Sequence, residues 1–514
     1  MSDLTFQLIA LAIYFLAMIG IGIYAFRQTK DHEDYMLGGR NLKPGTAALS
    51  AGASDMSGWL MLGLPGAIFV SGLVEAWIGI GLLIGAYLNW RFVAPRLRAY
   101  TQVANNSITV PSYFENRLHD TSRALRIASG VVILVFFTFY ISSGMVAGGV
   151  FFESTFDGDY LTGMLLVAGV TLAYTLFGGF LGATFTDVVQ GLMMLLALIA
   201  IPVVAIFTLG GFGGVSEAIV ASGVEHTGLI PSDLNPVAII GIISALGWGL
   251  GYCGQPHIIV RFMALRDSHS AIAGRRIGMG WMLLSMIGAI TAGIVGVAYV
   301  QQNGIDLADP ETVVLVMAQT LFHPLVSGFI LAAVLAAIMS TISSQLIVCS
   351  SALVEDLYMV VAKRKPSARA LVVAGRGGVL AIAAVAVVLA LNPSGSILAL
   401  VGFAWAGFGA AFGPIIVLSL FWKKLTNWGA LAGMVAGAAT VFIWAGLGTG
   451  LYEIIPGFIV NLIVAVVVSL ATHRSNAEID REFTETGALA IVRPGMAGAA
   501  VGPEASDDQL TPVR

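Results

Sequence analysis

Apolar residues gather into long runs along this chain, separated by short polar segments rich in charge, glycine and proline. Thirteen runs reach the roughly 20 residues that a helix needs to cross a bilayer. They lie at about 4–26, 44–74, 76–95, 127–152, 160–180, 188–210 and 236–260, then at 277–300, 325–354, 371–391, 396–421, 427–447 and 454–472. The first is too long for a signal-peptide core and no basic segment precedes it, so it reads as a retained helix. The pattern predicts an all-α polytopic membrane protein with 13 transmembrane helices.

Two runs are broken. The second carries Gly52, Gly58, Gly63 and Pro65, and the seventh reads GWGLGYCGQP from Gly247 to Pro256. Discontinuous helices at matching places in two halves point to a transporter built from repeats. The two breaks lie five spans apart, which predicts two five-helix repeats, spans 2–6 and 7–11, each with a broken first helix. Five is odd, so the repeats run in opposite directions. The expected organisation is an extra helix and loop at 1–43, repeats at 44–234 and 235–421, two further helices at 422–472, and a disordered tail at 473–514.

Composition agrees with the membrane reading. Of 514 residues, 57% are hydrophobic and only 11% charged, against about 25% charged in a typical soluble domain, and the mean hydropathy is +0.90. With the N-terminus outside, all 25 Lys and Arg fall in or beside the cytoplasmic connections and the tail. The opposite connections hold acids such as Glu153, Asp157, Asp159, Glu217, Glu225, Asp306, Asp309 and Glu311. The positive-inside rule then expects the N-terminus outside and the C-terminus in the cytoplasm of a bacterial inner (plasma) membrane. The net charge of −4 says nothing about partners, and no nucleic-acid partner is expected. Cys253 and Cys349 offer neither a disulfide framework nor a metal spacing. No nucleophile–base pair stands at membrane depth, so the chain is not expected to be an enzyme. A sensor would need a cytoplasmic output domain, which the sequence does not contain.

Asp55 sits inside the broken second span, where charge is expensive and therefore points to function. Three roles are open to it: ligand to a cation, support from just behind the ligands, or partner to an arginine such as Arg40. A proton carrier is a fourth possibility. In the ninth span, Ala337, Ser340 and Thr341 share one helix face by their i, i+3, i+4 spacing. Their carbonyl and hydroxyls, with carbonyls freed near Ala53 and Met56, would form a nearly neutral oxygen cage suited to Na⁺. The competing reading is local, since such hydroxyls also bond back to carbonyls a turn earlier. Tyr140, Trp248, Tyr252 and Pro256 are candidates for walling in an organic substrate whose carboxylate would meet a helix terminus. No Lys or Arg is expected near the midplane. Asp187 and Glu75 stand at span ends as gate or loop groups, and His257 reads as a polar core residue.

The stretches YMLGGRNL (35–42), LSAGASDMSGWLMLGLPGA (49–67), GWGLGYCGQPHIIVRFMA (247–264), LAAIMSTISSQLIVCSSALVEDLY (335–358), WAGFGAAFGP (405–414) and GLYEIIPGF (450–458) resemble the sodium/solute symporter family, most of all its proline-carrying branch. The resemblance runs from about Leu4 to the end of the last span. It implies Na⁺ as coupling ion, L-proline as substrate, alternating access and no organic cofactor. On matching residues it implies a Na⁺ site at Ala53, Met56, Ala337, Ser340 and Thr341, with Asp55, Ser57 and Gly58 supporting cation and substrate. It implies a proline site at Tyr140, Trp248, Tyr252 and Pro256, with Arg40 and Asp187 acting on coupling from the cytoplasmic side. Cys253 departs from the family's phenylalanine beside Tyr252 and leaves other solutes in play: pantothenate, a short carboxylate or a sugar.

Overall fold

The computed structural model describes residues 2–28, 36–223, 228–361, 367–392 and 395–491. Among these the protein is helical throughout, with one isolated bridge between Leu42 and Leu265. Among the described residues, eleven helices are long and apolar enough to cross a membrane.

In chain order, α1 (Asp3–Gln28) precedes the broken segment formed by α2 (Pro44–Asp55) and α3 (Leu64–Ser71). Then come α4 (Ala76–Leu88), α5 (Ala94–Val103), α6 (Val110–Arg117), α7 (Ala124–Phe156) and α8 (Tyr160–Thr208). A short α9 (Gly211–Ser222) leads to the second broken segment, α10 (Pro236–Gly247) and α11 (Pro256–Met263). The rest comprises α12 (Ser270–Asn303), α13 (Val313–Leu321), α14 (Pro324–Ser351), α15 (Ala368–Ala390), α16 (Ile397–Phe421), α17 (Asn427–Leu447), α18 (Ile454–Thr472) and α19 (Ala477–Ile491).

Helices α14 and α16 are the most enclosed. Between them they pack against α7, α8 and the two broken segments. By contrast, α1, α17 and α18 leave apolar residues such as Leu16, Ile443 and Val467 exposed, as lipid-facing helices do. The fifth and sixth apolar runs form two helical stretches with no loop between them. They join end to end in α8, where Gly179 alone turns the chain, at φ 56° and ψ −160°. That region of backbone space is open to glycine and costly for any residue with a side chain.

The tail departs from expectation. Residues 477–491 are helical rather than disordered: Phe483 lies against Tyr100 and under the Arg117 guanidinium, and His119 meets Glu482 at 3.3 Å. An amphipathic face with an aromatic anchor supplies the burial that charge composition alone did not reveal. Residues 492–514 lie outside the described part of the chain.

Candidate functional site

The break between α2 and α3 begins at Met56, which leaves helical geometry (φ −86°, ψ 79°) after its N–H bonds the Gly52 carbonyl at 2.9 Å. Met56 and Ser57 are non-helical, and the chain resumes through a wide turn at Trp59–Gly63 before Pro65 starts α3. Carbonyls freed by such a break need partners in a membrane interior. Side chains from three other places provide them. The Trp59 indole donates to the Asp55 carbonyl at 3.1 Å, the Tyr140 hydroxyl to the same oxygen at 3.3 Å, and the Ser340 hydroxyl to the Ala53 carbonyl at 2.8 Å.

Four of the five residues expected to hold a cation are linked by hydrogen bonds. Ser340 also reaches the Ala337 carbonyl at 3.1 Å, and Thr341 reaches it at 3.3 Å. The local back-bonding anticipated for these hydroxyls therefore exists, but Ser340 adds a bond to another helix. Met56 stands at the adjacent break, and Gly58 lets α7 and α14 approach closely, its α-carbon facing Ala147 and Ile338. Ala53, Asp55, Met56, Ala337 and Ser340 have no solvent exposure, so the site is occluded.

Asp55 does not pair with Arg40. The Arg40 guanidinium turns to the Thr101 hydroxyl at 3.1 Å and to the Ser107 carbonyl, holding the segment before α2 to the loop after α5. Both carboxylate oxygens of Asp55 are buried without a hydrogen bond, with the Tyr252 hydroxyl alongside. Ser57 faces the Tyr140 hydroxyl.

The second break is a tight turn of helix at Trp248–Gly254 followed by extended Gln255 (φ −87°, ψ 108°) and Pro256. Its carbonyls are again met by side chains: Asn89 bonds the Tyr252 carbonyl at 3.1 Å, Trp405 that of Trp248 at 2.8 Å, and Gln255 that of Gly251 at 3.2 Å. Trp248 lies 5.9 Å from Trp59 and stacks on Trp405 and Tyr452, while Tyr252 meets Trp405 edge-on. Tyr140 and Tyr252 thus flank Asp55, and Trp248 lies against both Trp59 and Trp405. Pro256 faces elsewhere, into a small inner cavity shared with Thr109, Val260 and Asp356. His257 lies edge-on to Tyr140 and Phe137, and both its ring nitrogens are buried without a hydrogen bond.

Asp187 is not a loop group. It is fully buried and pairs with Arg261 at 3.2 Å, while Ser50 donates to it at 2.6 Å. Arg261 also bonds the Ser344 hydroxyl at 2.6 Å, one helical turn from Ser340. Arg261 is thus an arginine enclosed by the protein, 1% exposed. Glu75 and Asp187 look alike in sequence, and only the third dimension brings Asp187 to Arg261. Trp59, Trp405 and Tyr452 were also missed, although Trp405 opens one of the stretches that carried the resemblance.

A family model described as the sodium:solute symporter family matches residues 35–437. The chain belongs to that family. It is 54% identical over 470 residues to the high-affinity proline transporter PutP of Bacillus subtilis (strain 168), covering 91% of this chain and 98% of that protein. It is 50% identical over 493 residues to the sodium/proline symporter of Escherichia coli (strain K12), covering 95% and 97%. Among solved structures it is similar to a Na⁺-coupled sialic acid symporter in a substrate-bound outward-open state, with a TM-score of 0.78, 18% identity, and 92% and 99% of the two chains covered. Mhp1, a nucleobase–cation symporter in a closed conformation, gives a TM-score of 0.54 at 11% identity over 88% of this chain and 98% of the other. At such low identities these two likenesses concern the fold. The protein is a multi-pass membrane transporter, as its family and these relatives are transporters.

Proposed function

We propose that the protein is a Na⁺-coupled symporter that carries L-proline into the cell by alternating access. Support comes from relatives at 50–54% identity that are named for proline transport and cover nearly the whole chain. The observation that carries the cation half is the oxygen cluster across the break. The Ala53 and Ala337 carbonyls and the Ser340 and Thr341 hydroxyls are linked at 2.8–3.3 Å. A Na⁺ ion replaces these bonds when the hydroxyl protons turn away, with the Met56 carbonyl as fifth ligand.

On this reading Asp55, Ser57 and Gly58 support the cation and the substrate. Tyr140, Trp248, Tyr252 and Pro256 serve the proline, whose secondary ammonium and apolar ring suit a carboxylate among aromatic walls. Arg40 and Asp187 act on coupling from the cytoplasmic side. The 13 spans, the inverted five-helix repeats and the outside N-terminus complete the picture, the last resting on the distribution of Lys and Arg. The bacterial plasma membrane is the expected location.

External Na⁺ binds first and fixes the break in the second span, which orders the proline pocket against the seventh. One charge crossing about 100 mV yields about 2.3 kcal/mol, and a tenfold Na⁺ gradient adds about 1.4 kcal/mol. At one Na⁺ per proline these sustain accumulation of roughly several hundredfold. Uptake of labelled proline into proteoliposomes is expected to require an inward Na⁺ gradient and to carry inward current. Uptake indifferent to Na⁺ but driven by a pH step would transfer the coupling to a proton on Asp55, whose oxygens lack hydrogen bonds.

A further inference from the structure

The connection after α5 and the end of α14 meet at one buried carboxylate that the transport site does not use. Asp356, in the wide helical turn Ala352–Tyr358 that continues α14, is fully buried. Its Oδ1 accepts the Thr109 hydroxyl at 2.9 Å and the Arg126 Nε at 2.9 Å. Arg126 belongs to the first turn of α7 and also grips Glu115 of α6 at 2.7 Å. Thr109 is the N-cap of α6, its side chain accepting the Ser112 N–H at 3.0 Å. Two residues earlier, the Ser107 carbonyl accepts from Arg40. Four pieces of chain therefore converge here: the segment leading into α2, the α6 connection, the start of α7 and the end of α14.

These are the elements that carry the proposed transport residues. Asp356 is 16 residues beyond Ser340 on the same continuous helix, and Arg126 is 14 residues before Tyr140 on α7. The second oxygen of Asp356 has no hydrogen-bond partner. The residue lines an inner cavity whose wall also includes Pro256, Val260, Thr109, Val110 and Pro111. That cavity is about 20 Å³, room for about one water. Proline cannot pass it unless the α6 wall parts from the end of α14, and the bonds to Asp356 are what hold those two together.

We propose that Asp356, held by Thr109 and Arg126, is the cytoplasmic latch of the transport cycle: closed it seals the cavity behind Pro256, and its release opens the exit for substrate. Asp356 is a positioning residue, acting on the path rather than on the bound solute. The proposal rests on the transport reading above.

The test uses the full chain in liposomes, with Cys253 and Cys349 replaced by alanine and a single thiol introduced by Val110→Cys on the cavity wall. Labelling by N-ethylmaleimide is expected to be about tenfold faster in Asp356→Asn and in Arg126→Gln, the factor that one hydrogen bond to a charged group is worth. The double variant should label no faster than either single one, because both open the same latch. Thr109→Val should accelerate labelling with the ion pair intact, and Thr109→Ser should restore the parent rate. Each variant is also assayed for Na⁺-dependent proline binding and for melting temperature. Labelling at the parent rate in Asp356→Asn or Thr109→Val protein that still binds proline overturns the latch, including when only the melting temperature has fallen. Should the charge variants not fold, the Thr109 pair decides by the same criterion. Absence of Na⁺-dependent proline binding in the parent overturns the transport reading instead, while the labelling series still reports on the latch.

Discussion

The Ser340 hydroxyl donates to the Ala53 carbonyl across 2.8 Å, joining the ninth span to the last turn of the second at the point where that span stops being helical. This bond and a Na⁺ ion compete for the same two oxygens. Ser340→Ala removes one ligand and leaves the freed Ala53 carbonyl without its partner. The Na⁺ concentration for half-maximal proline uptake is expected to rise by roughly ten- to thirtyfold, from about 1.4–2 kcal/mol of lost interaction. Thr341→Ala should act in the same direction. Unchanged Na⁺ dependence in both, measured by proline binding against Na⁺ concentration, places the cation elsewhere.

Asp55→Asn keeps shape and removes charge. Because the native carboxylate oxygens are buried with no hydrogen bond, a bound cation compensates their charge on the Na⁺-coupled reading. The variant is therefore expected to fold, to be at least as stable as the parent without ligand, and to lose Na⁺-stimulated proline binding. A melting-temperature series with and without 100 mM-scale Na⁺ reads this directly: the parent gains stability on adding Na⁺ and the variant does not.

Asp187 and Arg261 form a fully buried pair at 3.2 Å, so removing one partner strands the other. Asp187→Asn or Arg261→Ala alone is expected to destabilise by about 3–5 kcal/mol. The combined Asp187→Leu/Arg261→Met protein, with no charge left, should recover much of that stability. Thermal unfolding in detergent distinguishes this from independent, additive losses. Transport should not recover in the double variant if the pair works in coupling.

A methyl group added at Gly251 would overlap the Trp405 indole, which bonds the Trp248 carbonyl at 2.8 Å and stacks on its ring. Overpacking of this kind costs about 1–3 kcal/mol. Gly251→Ala is expected to weaken proline binding about tenfold or more while leaving Na⁺-dependent stabilisation in place. Indole fluorescence should shift with it, since the displaced Trp405 ring stacks on Trp248, which in turn lies against Trp59.

Most of the helices were legible because apolar runs of spanning length have few alternatives, and the two breaks were legible because Gly and Pro interrupt them. The hydroxyl face of α14 followed from spacing alone. What the sequence concealed were pairings between distant segments. Arg40 and Arg261 look like equivalent arginines near span ends, yet one serves the connection at Ser107 and the other is the buried partner of Asp187. Pairing depends on how far each helix is sunk and turned, which one-dimensional periodicity does not contain. Gly179 was hidden for a related reason: a sharp turn made by one glycine leaves no polar segment to see. The helix at 477–491 was missed because charged composition outweighed a short face anchored by Phe483.

Helix α11 has only eight residues, about 12 Å of rigid rod. Its first residue is Pro256, directly after the Gln255 that ties Trp248–Gly254 to Trp405, and Arg261 near its other end grips Asp187. A rod too short to bend transmits rotation at one tip to the other. Swivelling at its Trp405 end would swing the Arg261 guanidinium against Asp187, making this small helix a crankshaft between the second break and the buried ion pair.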